Sequence, residues 1–330
     1  MHSRPRQGQR PGPLFLLLWT VIAALFVMRQ IPLTSDDEFY IEYFAEFREF
    51  GDILLFALID EPLFKVFTNF FHALLPAQAS LRVLIGLTVL PHLVVAYRLG
   101  GWRANAYVLG YFAFVELAPH LSWVQLRQGF AVGMLFLLLH LSKDRLRLLW
   151  VGVVGLVHTS MLVLLPCFAL VALPRRLAYL LIAVLAAGML ATPDLVGQLS
   201  FLLGRREGAY LDEDPTYSFA YVLYSLALMV YVTCFASDGR NGDQLLIYHA
   251  MCALVLPMFF MNTFGAFAER LYFVVRWFEL ALVVQSLRPQ AARVATGYLL
   301  LNMLYSAYHS VVNFGSGGGF LDRYIQLIAP

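Results

Sequence analysis

Apolar runs long enough to cross a bilayer follow one another along nearly the whole chain, parted by short polar turns. A span needs about 20 apolar residues and must satisfy its own backbone hydrogen bonds, so each run reads as a helix. No soluble domain of 330 residues hides a composition that is 60% hydrophobic and 13% charged. The expected class is all-α, a polytopic helical membrane protein. The net charge of +2 comes from arginines scattered between apolar runs, so no nucleic-acid face is expected. Cys167, Cys234 and Cys252 sit in apolar stretches without a CxxC or a nearby histidine at ligand spacing. They read as small buried residues, with neither a disulfide frame nor a metal site expected.

Arg4, Arg6 and Arg10 precede the first run, Pro13 to Met28. No small-x-small cleavage site follows it, so it reads as a first membrane helix with residues 1–12 in the cytoplasm. The acidic and aromatic stretch SDDEFYIEYFAEFREFGD then falls outside. Glu61-Pro62 opens a helix whose Lys65, Thr68, Asn69 and His72 form one polar stripe on an apolar body. It is short for a span and is placed in the outer interface, within an outer loop of residues 34–80. Further spans are expected near 81–97, 104–117, 122–141, 177–191, 219–235, 245–261, 270–287 and 294–312. Residues 192–218 form a second outer loop and 313–330 an outer tail. The basic turns RLGGWR and KDRLR, with APHLSW between them, set this orientation by the positive-inside rule. The run Leu148–Leu173 is basic at both ends and is read as two short helices meeting at His158-Thr159-Ser160. The total is about eleven spans plus the interfacial helix, in a single integral membrane domain over residues 1–330 without an internal repeat.

The polar residues inside these runs point to chemistry. Arg127 and Gln128 lie about a turn inside an apolar run, where an arginine at the centre of a span costs roughly 2.5–3.5 kcal/mol. The orientation gathers Asp37, Glu61, Gln125, Arg127, Gln128, His158, Arg205, Arg206, Tyr210, Glu269, Arg270 and Tyr272 on the outer side. Arginines there suggest an anionic ligand, because the guanidinium fork matches phosphate oxygens. A lipid pyrophosphate at the outer leaflet fits. His158 is placed to act as a general base, with Asp37 or Glu61 as carboxylates able to serve instead. Each has a structural reading as well. Arg127 is able to cap helix ends and pair with Glu116, and His158 to be a satisfied core histidine at a helix break. Asp37 is able to mark a helix end, Glu61 to be an N-cap carboxylate, and Arg270 to snorkel at the interface. Arg276 and Glu279, three apart on one helix, read as a structural ion pair.

Several of these stretches together resemble the EpsG family of polysaccharide-biosynthesis membrane proteins, the Wzy-like polymerases. The resemblance rests on DDEFYIEYF, EPLF, LRQGFAVGMLFLLL, the basic turn after it, LVHTSMLVLLP and ERLYFVV. The most specific part is LRQ-x-x-A followed by H-x-S-x-L before a proline. Thr159 stands where the family usually carries lysine or another polar residue. The resemblance implies a GT-C-like polymerase architecture in a bacterial inner membrane. It also implies joining of polyprenyl-pyrophosphate-linked oligosaccharide units at the outer face, without metal or other cofactor. Carried over residue by residue, Arg127, His158 and Arg270 match the family's polar positions, as do Asp37 and Glu61. Arg127, Gln128, Arg270, Tyr272 and Tyr210 are then expected to bind pyrophosphate or glycan, and His158, Asp37 and Glu61 to supply the base. Partners are the lipid-linked oligosaccharide, the bilayer and a chain-length regulator protein. Alternatives are a GT-C glycosyltransferase using a polyprenyl-phosphate sugar, with a metal at Asp36-Asp37-Glu38, and a lipid-linked sugar flippase. A flippase would show polar residues along a path and a repeat. An O-acetyltransferase would need its histidine toward the cytoplasm, against the expected placement of His158.

Overall fold

The computed structural model describes residues 12–29, 31–32, 37–38, 40–42, 61–113, 125–141, 147–192, 219–235, 242–261, 265–285 and 292–312. Among them there is no strand. The helices are α1 (Pro13–Val27), α2 (Pro62–Leu74), α3 (Ala77–Leu99), α4 (Gly101–Ala113), α5 (Leu126–Leu141) and α6 (Arg147–Gly155). After them come α7 (Leu164–Ala169), α8 (Arg175–Ala191), α9 (Phe219–Phe235), α10 (Gly242–Phe260), α11 (Gly265–Gln285) and α12 (Ala292–Val312). Short 3-10 segments, Thr159–Val163 and Leu170–Ala172, flank α7.

Polarity is inverted relative to a water-soluble protein. Leu17, Leu18, Leu180, Val184, Val230, Leu300 and Leu304 are exposed, while Arg29, Asp37, Arg276 and Glu279 are buried. Apolar side chains outward and charged ones inward is the arrangement a hydrocarbon solvent demands. Ala77–Leu99 and Gly242–Phe260 are long and apolar enough to cross a membrane by length and composition. Shorter apolar helices include Leu126–Leu141 and Val222–Phe235. The expected run 219–235 is the observed α9, and the expected 177–191 begins two residues earlier at Arg175.

The chain divides into two compact units, residues 1–158 with 296–330, and residues 159–295. In the first, α3 is the central element and packs on α1, α2, α4 and α5. Its closest neighbour is α5, because Gly133 has no side chain. A Cβ there would lie 3.3 Å from Pro91 Cγ and from the Thr88 carbonyl. Small residues let helices approach closely where no water drives them together. Arg82 of α3 donates to the carbonyls of Val27 (2.8 Å) and Arg29 (3.0 Å), satisfying groups at the end of α1. The turn to α4 uses Gly100 and Gly101 at φ 67° and 54°, a conformation that costs glycine little. Helix α6 follows, packed on α5, and unwinds after Gly155.

In the second unit α10 is central and contacts α7, α8, α9 and α11. Residues 271–284 of α11 are all buried. That helix neutralises its own charge: Arg276 Nη1 donates to Glu279 Oε1 at 2.7 Å, as expected for an i,i+3 pair. The guanidinium also lies 5.5 Å from the Tyr224 ring centroid. The run 148–173 is interrupted where expected, with α6 ending at Gly155 and the next helical turn starting at Thr159.

Candidate functional site

The first unit brings two chain-distant residues onto one carboxylate, that of Glu61. Glu61 Oε2 accepts from Arg127 Nη1 at 2.8 Å, and Oε1 makes a short hydrogen bond with His158 Nδ1. The side chains of Glu61, Arg127 and His158 are 5%, 21% and 10% exposed, so the cluster is sheltered but not sealed.

Each residue arrives by a local device. Glu61 stands at the N-terminal boundary of α2, yet its side chain makes no cap to that helix. It points instead to Arg127 and His158, so the N-cap reading does not describe it. Its backbone is left-handed, φ 49° and ψ 54°, and it is the sole non-glycine residue with positive φ among the described residues. Such a conformation costs about 1–3 kcal/mol and persists only where the surroundings enforce it. Pro62 sharpens the constraint, since a residue before proline is steered toward extended backbone. The enforcing contact is one residue on, where the Leu63 N–H donates to the Leu156 carbonyl at 3.0 Å.

His158 lies just past the end of α6, its N–H donating to the Val154 carbonyl at 3.0 Å. Arg127 belongs to the first turn of α5, where backbone N–H groups lack partners within the helix. Its own N–H donates to the Tyr40 hydroxyl at 3.3 Å. Tyr40 packs edge-on against Phe64 of α2, and Phe67 packs edge-on against Phe130 of α5.

Glu61 lies outside the spans, and its electrostatics follow from its neighbours. Burial pushes its carboxyl up, but the His158 imidazole and the Arg127 guanidinium outweigh that and hold it at about 2. Both carboxylate oxygens of Glu61 are engaged by N–H donors, which favours the ionised form. Its bond to Nδ1 fixes the His158 ring and leaves Nε2 as the nitrogen for a proton from elsewhere. Among the described residues Nε2 has no protein hydrogen bond. The guanidinium of Arg127 has five N–H donors, so binding one carboxylate oxygen does not exhaust it.

Asp37 is buried, and both its oxygens accept from Arg29, at 2.5 and 2.6 Å. Arg29 is not among the site residues expected from the sequence, yet it holds both Asp37 oxygens. An arginine at the end of the first apolar run, eight residues before an aspartate in an acidic stretch, was the available signal. Gln128 is buried on α5 next to Arg127. Arg270 and Tyr272 lie on α11 in the second unit. Arg270 is half-buried, and Tyr272 is buried with its hydroxyl accepting from Ser225 at 3.2 Å. Tyr210, Glu116 and the pair Arg205-Arg206 lie outside the described residues.

Comparison with known proteins adds one result. No curated protein and no solved structure matches the chain. A model of the EpsG family matches residues 14–325, which include Glu61, Arg127 and His158. With that match over nearly its full length, and with charged groups sheltered in an apolar helical body, the chain belongs to the EpsG family.

Proposed function

We propose that this membrane protein is a polysaccharide polymerase that joins oligosaccharide units carried on a polyprenyl pyrophosphate. The coarse part of this reading, a role in exopolysaccharide assembly, follows from the family. The finer part is carried by one observation: Glu61, at the start of α2, bridges a guanidinium from α5 and an imidazole just past α6.

A hydroxyl of the acceptor glycan attacks the anomeric carbon of the donor. His158 Nε2 takes the hydroxyl proton as the new carbon–oxygen bond forms. The old bond between anomeric carbon and pyrophosphate oxygen breaks, and the leaving pyrophosphate keeps its electron pair. Arg127 stabilises that charge, an interaction stronger in the transition state than in the ground state. Glu61 holds the imidazole ring and balances the imidazolium formed. Low dielectric around the cluster strengthens each of these interactions. In this reading His158 is the base and Glu61 the group that orients it, because both Glu61 oxygens are already engaged, one by Arg127 and one by His158 Nδ1. Asp37 anchors Arg29 and the segment carrying Tyr40, whose hydroxyl meets the start of α5. A carboxylate with both oxygens on a buried arginine is poorly suited to hold a metal, which weakens the GT-C glycosyltransferase reading.

The membrane arrangement proposed with this is a cytoplasmic N-terminus, about eleven spans, and the cluster at the outer face of an inner membrane. Reporter fusions after residues 142–146 and 236–241 test it, with cytoplasmic signals expected at both. The function is tested by the lipid-linked species that accumulates in cells carrying Arg127→Ala. Single repeat units on their carrier in the outer leaflet support a polymerase. Accumulation confined to the cytoplasmic leaflet would indicate a flippase, and unchanged chain length would remove Arg127 from the step.

A further inference from the structure

The second unit holds a cavity of about 690 Å³ between α8, α9 and α10, well away in sequence from the Glu61 cluster. Its walls include Ala186 and Leu190 on α8, Leu226 and Val230 on α9, and Ala253 and Phe260 on α10. Leu190, Val230 and Phe260 are themselves 48%, 58% and 63% exposed, so the cavity opens sideways as a groove. Alanines on two of the three helices give it its width.

Three polar side chains line the same groove, and they satisfy one another. Thr233 Oγ1 donates to the Met229 carbonyl at 2.7 Å, so toward His249 it accepts. Nε2 of His249, 2.7 Å away, is then the protonated nitrogen, and Nδ1 accepts from the Tyr179 hydroxyl at 3.1 Å. The three polar side chains thus bond to one another rather than into the groove. At this end of the groove stand Arg175 and Arg176, both exposed, about one turn before Tyr179 on α8. The Arg175 guanidinium lies against Gly242, where α10 begins; a Cβ on Gly242 would fall 2.2 Å from Nη2. Asp243 follows in the first turn of α10, so among the described residues this end carries two arginines against one aspartate.

We infer that this groove binds one anionic phospholipid, its acyl chain between α8, α9 and α10 and its phosphate at Arg175 and Arg176. An open apolar groove in a bilayer fills with hydrocarbon, since water has no partners there. Two arginines at one end select the charge of the head group, as basic residues do at an anionic membrane surface. They also mark the cytoplasmic side, where anionic phospholipids face basic clusters. This rests on the membrane reading but not on the polymerase mechanism.

The test uses the full chain purified in mild detergent, with bound lipid identified by native mass spectrometry. Wild type should carry phosphatidylglycerol enriched about tenfold over its share of the membrane extract. Arg175→Gln with Arg176→Gln should abolish that enrichment, and Ala186→Trp with Ala253→Trp should remove the lipid altogether. If the tryptophan variant does not fold, the arginine variant still decides, read as thermal stabilisation in vesicles of phosphatidylcholine with and without phosphatidylglycerol. Retention of a polyprenyl chain in place of phospholipid overturns the inference. So does equal binding of neutral and anionic lipid. Crosslinking of Cys234, in the groove wall, to a second copy overturns it as well, because protein would then cover the groove.

Discussion

Two of the buried ion clusters, one from each unit, solve the same problem in opposite ways. Arg276 and Glu279 sit three residues apart on α11, each 2% exposed, and neutralise each other within one turn. Glu61, Arg127 and His158 are separated by 66 and 97 residues along the chain. Their meeting needs the end of α6, the start of α5 and a left-handed residue before a proline. A local pair lets a charged helix be buried. A non-local cluster that also holds a left-handed residue and keeps partial exposure is the kind of site on which the proposed chemistry rests.

The largest effect expected from breaking this contrast is at the imidazole. His158→Ala should lower polymerisation about 10²–10⁴-fold, the usual share of a positioned general base, with the protein still in the membrane. In vitro chain extension on lipid-linked units measures it, and activity within a few-fold of wild type would displace His158 as the base. Arg127→Ala should cost about 10²–10³-fold, as loss of one charge-stabilising donor does. Arg127→Lys should restore only part of it, because lysine lacks the planar fork.

Glu279→Ala should act on stability instead. Leaving Arg276 buried without that partner costs about 3–5 kcal/mol, whereas replacing both residues by apolar ones of similar size is close to neutral. Chain length should stay normal in the double variant that remains folded, and a polymerisation defect there would erase the distinction between the clusters.

Acid should separate them too. Glu61 has its pKa lowered from 4.5 to about 2 on folding, so its contribution is complete above about pH 4.5 and is lost as pH falls toward 2. A Glu61→Gln variant should lack that part of the acid sensitivity in an unfolding titration. The smallest effect concerns the backbone: Glu61→Gly should be more stable than Glu61→Ala by about 1 kcal/mol, because only glycine takes the left-handed conformation freely. The reverse order in thermal unfolding would show that position 61 is not held left-handed in solution.

Much of this was legible in the chain. Continuous apolar runs reported the helices, since burial in hydrocarbon leaves no other way to satisfy the backbone. The i,i+3 spacing reported the Arg276–Glu279 pair, because a helix fixes that geometry locally. Arg127 and His158 stood out because polar groups are costly in apolar runs. Their common partner did not follow from spacing. Glu61 had a sufficient local explanation as a residue before a helix, and the fold alone turns its carboxylate away from that helix. Asp37 was visible as an acid, but its bond to Arg29 depends on how the chain turns after α1.

One hydrogen bond described above reaches further than its length. The Leu63 amide is moored to the Leu156 carbonyl, two residues from His158 and two from Glu61. Any shift of α2 is thereby passed to the segment that carries the imidazole, so acid and imidazole move as one strut.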